Sequence, residues 1–144
     1  MEAQRNELIT IGSLSMRFLV DGNDTTGHMA MAEMVVQPQA KVPPPHRHTD
    51  VDETIHILEG TLTYRVDDCV RVLAAGDHCF SPRGSVHHFS NPGDVPARAL
   101  VVFSPANIGP DYFREVAQVL GAGGPPDIAQ LKTVMTRHGL ELSA

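Results

Sequence analysis

One stretch of the sequence decides the fold: residues 45–60 read PHRHTDVDETIHILEG. His46 and His48 are separated by one residue, and side chains at positions i and i+2 of a β-strand point to the same face. Two imidazoles on one face can hold a single metal ion between them. Glu53, at the start of the next strand, adds a carboxylate that can fold back to the same ion. This stretch therefore indicates a metal site carried by β-strands.

A second stretch, residues 76–91, reads GDHCFSPRGSVHHFSN and supplies a third imidazole. Pro82, Arg83 and Gly84 predict a tight turn that sends the chain back, because proline and glycine favour turn conformations. His87 follows on the returning strand. Three imidazoles and one carboxylate from two separated strand pairs are typical of a mixed nitrogen and oxygen metal site.

The whole chain contains 12 glycines and 11 prolines, residues that often interrupt strands and helices. Through the first hundred positions they fall roughly eight to twelve residues apart, a spacing that predicts an all-β sandwich or barrel. Helical spacing of apolar residues begins only after residue 109 and predicts helices over 111–120 and 128–138. We expect a β-barrel domain over 1–108 and a helical extension over 109–144 that packs on it. The predicted strands are 8–11, 16–20, 29–36, 53–59, 61–66, 69–74, 78–81, 86–90 and 98–104.

Composition narrows the class of protein. The chain has 144 residues, of which 42% are hydrophobic and 19% charged, values typical of one globular domain. A formal net charge of −6 argues against a nucleic-acid partner, and no apolar run is long enough to span a bilayer. The first residues lack the pattern of a secretory signal, and Cys69 and Cys79 are most simply reduced thiols. We therefore expect a cytoplasmic protein without a membrane partner.

The two stretches resemble the two motifs of the cupin superfamily. The first family motif, G-x5-H-x-H-x(3,4)-E-x6-G, is matched from His46 to Gly60, with Ala40 in place of the leading glycine. The second, G-x5-P-x-G-x2-H-x3-N, is matched at every fixed position from Gly76 to Asn91. The resemblance implies a double-stranded β-helix, the cupin jelly-roll, with a short C-terminal helical tail, and a homodimer. It also implies one divalent metal ion per subunit, with the ligands His46, His48, Glu53 and His87.

His56 is unusual, because cupins often carry an aromatic residue at this position. Strand alternation places it on the face opposite Glu53, so only a β-bulge would let it join or replace Glu53 as a ligand. Tyr64 shares a face with Leu62 and Val66 and brings a polar tip to an apolar pocket. We predict His56 and Tyr64 as the catalytic residues, and the sequence leaves open whether His56 joins or replaces Glu53 as a ligand.

Three functions remain open for such a site. In the first, the ion is a Lewis acid for cyclisation or dehydration of a polyketone, with a histidine moving the proton. In the second, iron, manganese or nickel supports a dioxygenase reaction. In the third, the barrel only binds a small ligand. The sequence resembles small bacterial cupins, some of which are aromatic polyketide cyclases and others quercetinase-like dioxygenases.

The expected pocket is largely apolar, which suits a flat hydrophobic substrate better than a sugar phosphate. We therefore predict a zinc-favouring cyclase of antibiotic biosynthesis, with the dioxygenase and the binding protein as alternatives. The candidates for the pocket lining are Met29, Met31, Leu62, Val66, Val86, Phe89, Leu100 and Val102.

Overall fold

The computed structural model describes residues 7–40, 43–121 and 124–143. Within these ranges the protein forms two antiparallel β-sheets and three short helices. The strands are β1 (Leu8–Ile11), β2 (Leu14–Val20), β3 (Ala30–Val36), β4 (His46–His48), β5 (Asp52–Glu59), β6 (Thr61–Val66), β7 (Cys69–Ala74), β8 (His78–Ser81), β9 (Val86–Ser90), β10 (Ala97–Ser104) and β11 (Leu140–Leu142). The helices are α1 (Gly22–Thr25), α2 (Pro110–Leu120) and α3 (Ile128–Arg137).

The two sheets face each other as the halves of a jelly-roll. One has the strand order β1-β2-β3-β10-β5-β8 and the other β11-β4-β9-β6-β7. Burial alternates along β3 and β10, so every second side chain enters the space between the sheets. The buried residues of both sheets form one apolar core, whose largest members include Met16, Ile55, Leu62 and Phe103. Removal of this apolar surface from water is the main force that closes the barrel.

The predicted all-β jelly-roll with a helical tail is confirmed. Each of the nine predicted strands is present, and β4 is the strand expected from the spacing of His46 and His48. The predicted loop at 21–24 is instead the single turn of α1. Asp21 stabilises this turn from both sides, because its Oδ1 accepts the N–H of Asn23 and its own N–H donates to Asp24.

The C-terminal segment covers one end of the barrel. Helix α2 buries Tyr112, Val116 and Val119, which repeat at helical spacing, and the side chain of Asp127 caps α3 by accepting the N–H of Gln130. After α3 the chain forms β11, which pairs with β4 and was not predicted. Three residues are too few to show a strand pattern, and their conformation depends on the β4 edge. No helix in the described ranges is long and apolar enough to cross a membrane.

The β5–β6 hairpin fixes the relative positions of Glu53 and Tyr64. Gly60 joins the two strands with φ +74°, in the left-handed region that glycine adopts without strain. A Cβ atom there would lie 2.4 Å from the carbonyl oxygen of Pro96. The hairpin therefore requires glycine at position 60, both for the backbone conformation and for the close packing against the backbone of Pro96 and Ala97.

Candidate metal centre

Strands β4 and β9 bring three histidines together. The side chains of His46 and His48 both enter the barrel from β4, while Arg47 points outward. His46 lies directly opposite His87 in the β4–β9 register. One ring nitrogen from each of the three histidines lies within 4.8 Å of the other two, and all three side chains are buried. Two distant sequence motifs thus converge on one point, as their spacing predicts.

Glu53 approaches the same point from the opposite sheet. Its Oε1 atom lies 3.5 Å from Nε2 of His48 and 3.6 Å from Nε2 of His87. The side chain enters the barrel because Glu53 shares a face of β5 with Ile55 and Ile57, which are fully buried. The structure therefore brings together all four residues proposed as metal ligands.

Two hydrogen bonds orient these side chains. Nδ1–H of His46 donates to the carbonyl oxygen of Pro44 at 2.8 Å, which leaves Nε2 with its lone pair. The hydroxyl group of Tyr64 donates to Oε2 of Glu53 at 3.2 Å and lies 3.4 Å from Oγ of Ser81. Oε1 of Glu53 is thereby left to face the histidines. Such supporting hydrogen bonds are what hold metal ligands in a productive orientation.

The protonation states also suit metal binding. Burial, reinforced by the charge of His87, lowers the pKa of His46 to about 4. Burial likewise lowers the pKa of His48 to about 4, although Glu53 opposes the shift. For Glu53, burial alone would raise the pKa, but His87 and the other two histidines lower it to about 2. At neutral pH His46 and His48 are therefore neutral and Glu53 is ionised, the forms in which these groups bind metals.

Buried ring nitrogens without hydrogen-bond partners test whether these residues suit a metal ion. Both ring nitrogens of His48 and Nδ1 of His87 are buried without a hydrogen-bond partner among the described residues. A buried polar atom without a partner is unfavourable, and a divalent ion would supply the missing interaction for a ring nitrogen. Three imidazoles and one carboxylate form a donor set that fits zinc, iron, manganese or nickel.

The four residues line a small space, here called the metal cavity, of about 50 Å³. Apart from Tyr112, the other described residues that line it are apolar. Those apolar walls are Leu14, Met16, Met34, Pro43, Phe89, Val101, Phe103, Ile108, Phe113 and Leu140.

The two candidate catalytic residues lie in different surroundings. Tyr64 is buried and touches Glu53, whereas His56 is exposed on the outer face of β5, opposite His78 of β8. Buried and more exposed side chains alternate regularly along this part of β5. The one shift in the pairing register between β5 and β10 lies after Ile57. Because no bulge reverses its direction, the structure does not bring His56 to the metal cavity.

The predicted cavity lining was mostly wrong. Of the residues expected there, Phe89 lines the metal cavity, while Met31, Leu100 and Val102 lie on the outer, half-buried side of β3 and β10. Their neighbours Met34 and Val101 point inward instead. Both strands carry apolar residues on both faces, so their sequence pattern does not reveal which face is inside.

Sequence reasoning also missed the contribution of the C-terminal segment. Tyr112 and Phe113 of α2 and Leu140 of β11 close the metal cavity from one end. The apolar face of α2 was visible in its spacing, and it indicated that the helix packs on the barrel. Only the folded structure shows that it packs over the histidines.

Comparison with known proteins agrees with this geometry. The family model of the cupin domain matches residues 32–103, half of the chain. Germin-like protein 9-3 of Oryza sativa subsp. japonica is 33% identical over 88 residues, which are 58% of this chain and 41% of that protein. The alginate biosynthesis protein AlgA of Pseudomonas aeruginosa is 26% identical over 106 residues, 74% of this chain and 22% of that protein.

Among solved structures, a sugar phosphate isomerase of the cupin superfamily from Silicibacter pomeroyi DSS-3 superposes with a TM-score of 0.56 at 28% identity. The superposition covers 64% of this chain and 59% of that one. The chain spans less than half the length of the two curated relatives named above. Residues 32–103, which the family model matches, contain both metal motifs and the strands that carry them. The chain belongs to the cupin family.

Proposed function

We propose that the protein is a metal-dependent enzyme that acts on a hydrophobic substrate with a carbonyl group. One divalent ion, with zinc favoured, would be held by His46, His48, Glu53 and His87. The observation that carries the proposal is the composition of the metal cavity, whose walls, among the residues that the structure describes, are apolar except for these four residues and Tyr112. A metal site between apolar walls suits the activation of one polar group on an otherwise apolar molecule.

When bound, the ion would supply Lewis-acid chemistry, the polarisation of a carbonyl that favours cyclisation or dehydration. The protein's own residues supply the rest. The hydrogen bond from Tyr64 fixes Glu53, and the contact with Pro44 fixes the ring of His46. The apolar walls, including Phe89 and Phe103, exclude water and so strengthen every electrostatic interaction inside the cavity.

A dioxygenase is the second candidate, and the size of the metal cavity favours it. A space of about 50 Å³ beside the four proposed ligands is large enough for dioxygen. The same nitrogen and oxygen donors also suit iron, manganese or nickel. Under this proposal the organic substrate and dioxygen would have to meet at the same four residues.

Metal loading followed by two assays tests the proposal. Metal-free protein would be loaded separately with zinc, iron, manganese and nickel, and each form mixed with an aromatic polyketone or with a flavonol. We expect the zinc form to convert the polyketone without oxygen uptake, His48→Ala to abolish the conversion, and His28→Ala, at an exposed histidine, to preserve it. Oxygen uptake that depends on iron, manganese or nickel would favour the dioxygenase instead. Failure to bind any of the four metals would contradict both candidates.

Association as a homodimer also remains a proposal, based on the resemblance to small cupins that pair through their sheets. Light scattering coupled to size-exclusion chromatography tests it. A mass near twice the 15.6 kDa of one chain is expected, and a mass near 15.6 kDa would contradict it.

A further inference from the structure

A second, larger space lies beside the metal cavity. This outer groove, of about 380 Å³, runs between β2, helix α1 and the first turn of α2, and its walls include Phe18, Asp21 and Asp111. Of the residues that the structure describes, Tyr112 alone lines both the outer groove and the metal cavity. Its ring therefore stands as the partition between the two spaces.

Aromatic packing holds this partition in place. The Tyr112 ring is only 7% exposed, and its centroid lies 5.0 Å from that of Phe113 and 5.3 Å from that of His138. Phe113 packs in turn on Phe103, at 6.2 Å, and Phe103 stacks on His48, at 6.1 Å. A continuous row of rings thus connects helix α2 with the metal-binding histidines.

The two volumes differ in what they can accept. Pockets that bind organic ligands usually have volumes of about 300 to 1,000 Å³. The outer groove falls within that range and the metal cavity, at about 50 Å³, falls well below it. An organic molecule therefore fits the groove, whereas the metal cavity has room only for a small part of it.

The charges of the outer groove restrict its ligand further. Four carboxylates lie along its walls, from Glu7, Asp21, Asp24 and Asp111, against the one guanidinium of Arg114. That guanidinium is already paired, at 2.8 Å with Glu7 and at 2.9 Å with Asp111. Such walls repel anions, while apolar residues of the lining such as Phe18 can contact an apolar body on the ligand.

We propose that Tyr112 is a specificity-determining residue of the metal centre. The outer groove binds an uncharged or cationic organic substrate with an apolar body, and the Tyr112 ring limits which substrates pass from the groove to the histidines. The identification of the groove ligand as a substrate rests on the proposed function, whereas the partition itself is a property of the folded chain.

Chemical modification of the metal-free protein tests the partition without any substrate. Diethyl pyrocarbonate, which modifies histidine rings, would be applied at neutral pH. Peptide mass spectrometry would then measure the rate at which His46 and His48 are carbethoxylated. We expect Tyr112→Ala to accelerate their modification by about tenfold or more, and the smaller change Tyr112→Leu to accelerate it less. The second variant provides the same comparison if the first does not fold.

Two matched controls accompany these variants. Tyr112→Phe keeps the ring, and Val119→Ala shortens a buried residue of α2 that lines neither space. In both variants we expect His46 and His48 to be carbethoxylated at the same rate as in the unaltered protein. Equal rates in all folded variants would overturn the partition. Acceleration by Val119→Ala to the level of Tyr112→Ala would overturn it too, because it would indicate general loosening of α2.

A series of three naphthalenes tests the class of ligand. 1-Naphthalenemethanol, 1-naphthylmethylamine and 1-naphthoate share one apolar body and differ in charge. Titrations followed by NMR are expected to shift the amides of residues 19–24 and 107–114, with naphthoate binding about tenfold more weakly or worse. Equal or tighter binding of naphthoate, or no binding by any of the three, would overturn the assignment of the groove. If the naphthalenes bind as expected but the protein takes up no metal, the proposed function would be contradicted and the assignment of the groove would stand.

Discussion

The hydroxyl group of Tyr64 donates a hydrogen bond to Oε2 of Glu53 across 3.2 Å of buried space. Tyr64 lies on β6 and Glu53 on β5, so the bond joins the two sheets behind the histidine cluster. It turns the second carboxylate oxygen toward His48 and His87. Burial and the nearby charge of Glu53 raise the pKa of Tyr64 well above its ordinary value, so the hydroxyl stays protonated and remains a donor.

Replacement of Tyr64 by phenylalanine is expected to weaken metal binding while the barrel stays folded. The variant keeps the ring in the core but removes the donor that orients Glu53. Loss of one such supporting hydrogen bond typically lowers metal affinity about 10- to 100-fold. Competition titration of zinc against a chromophoric chelator measures the change.

Tyr112→Phe is the matched control for this variant. It removes the hydroxyl of another buried tyrosine, one that does not hydrogen-bond Glu53, and we expect unchanged zinc affinity. Zinc affinity in Tyr64→Phe equal to that of the unaltered protein would show that Glu53 is oriented without Tyr64, or is not a ligand.

Acid is expected to destabilise the metal-free protein below neutrality. His46 and His48 have folded-state pKa values of about 4, against 6.5 when unfolded, so the unfolded chain binds more protons between these limits. The free energy of unfolding therefore falls as the pH falls from 6.5 to 4. His87 works in the opposite direction, because Glu53 raises its pKa despite its burial. From pH 7 to pH 5 we expect a net loss of about 3 kcal/mol.

Urea denaturation of the metal-free protein at a series of pH values measures this loss. The His48→Gln variant is expected to show a shallower dependence, because one of the two depressed imidazoles is gone. His28→Ala, at an exposed position, should leave the dependence unchanged. Stability that is constant or rises from pH 7 to pH 5 would contradict the burial of neutral histidines.

Gly60→Ala is expected to destabilise the fold more than a similar change elsewhere. The new methyl group would meet the Pro96 carbonyl oxygen at 2.4 Å and the Ala97 Cα at 2.9 Å, at a residue with φ +74°. We expect a loss of about 3 kcal/mol or more from the combined strain and overlap. Gly76→Ala, with φ +91° and open space around the added atom, should lose only about 1 to 2 kcal/mol. Equal losses in urea denaturation would show that the Pro96 segment moves aside freely.

The histidine cluster could be predicted because local spacing determines it. Two residues at i and i+2 on a strand must share a face, and the Pro82–Gly84 turn returns His87 beside them. The inward direction of Glu53 follows from the same alternation, since Ile55 and Ile57 fix which face of β5 is buried. Wherever one face of a strand is clearly polar, the sequence reveals its orientation.

The rest of the cavity depends on packing that no short segment encodes. β3 and β10 are apolar on both faces, so Met31 and Val102 were expected inside where Met34 and Val101 lie instead. Tyr112 belongs to a helix more than twenty residues away in sequence from the nearest histidine of the cluster. Its place above the histidines follows from how α2 docks on the barrel, which sequence periodicity does not specify.

Metal content in the four ligand variants tests the central claim most directly. Protein purified without chelators, and its variants His46→Ala, His48→Ala, His87→Ala and Glu53→Gln, would be titrated with zinc and analysed by mass spectrometry of the elements. We predict one zinc per chain in the unaltered protein and in His56→Ala, and a large loss of affinity in each ligand variant. Full zinc content in the histidine variants, or loss of zinc in His56→Ala with zinc retained in Glu53→Gln, would contradict the account.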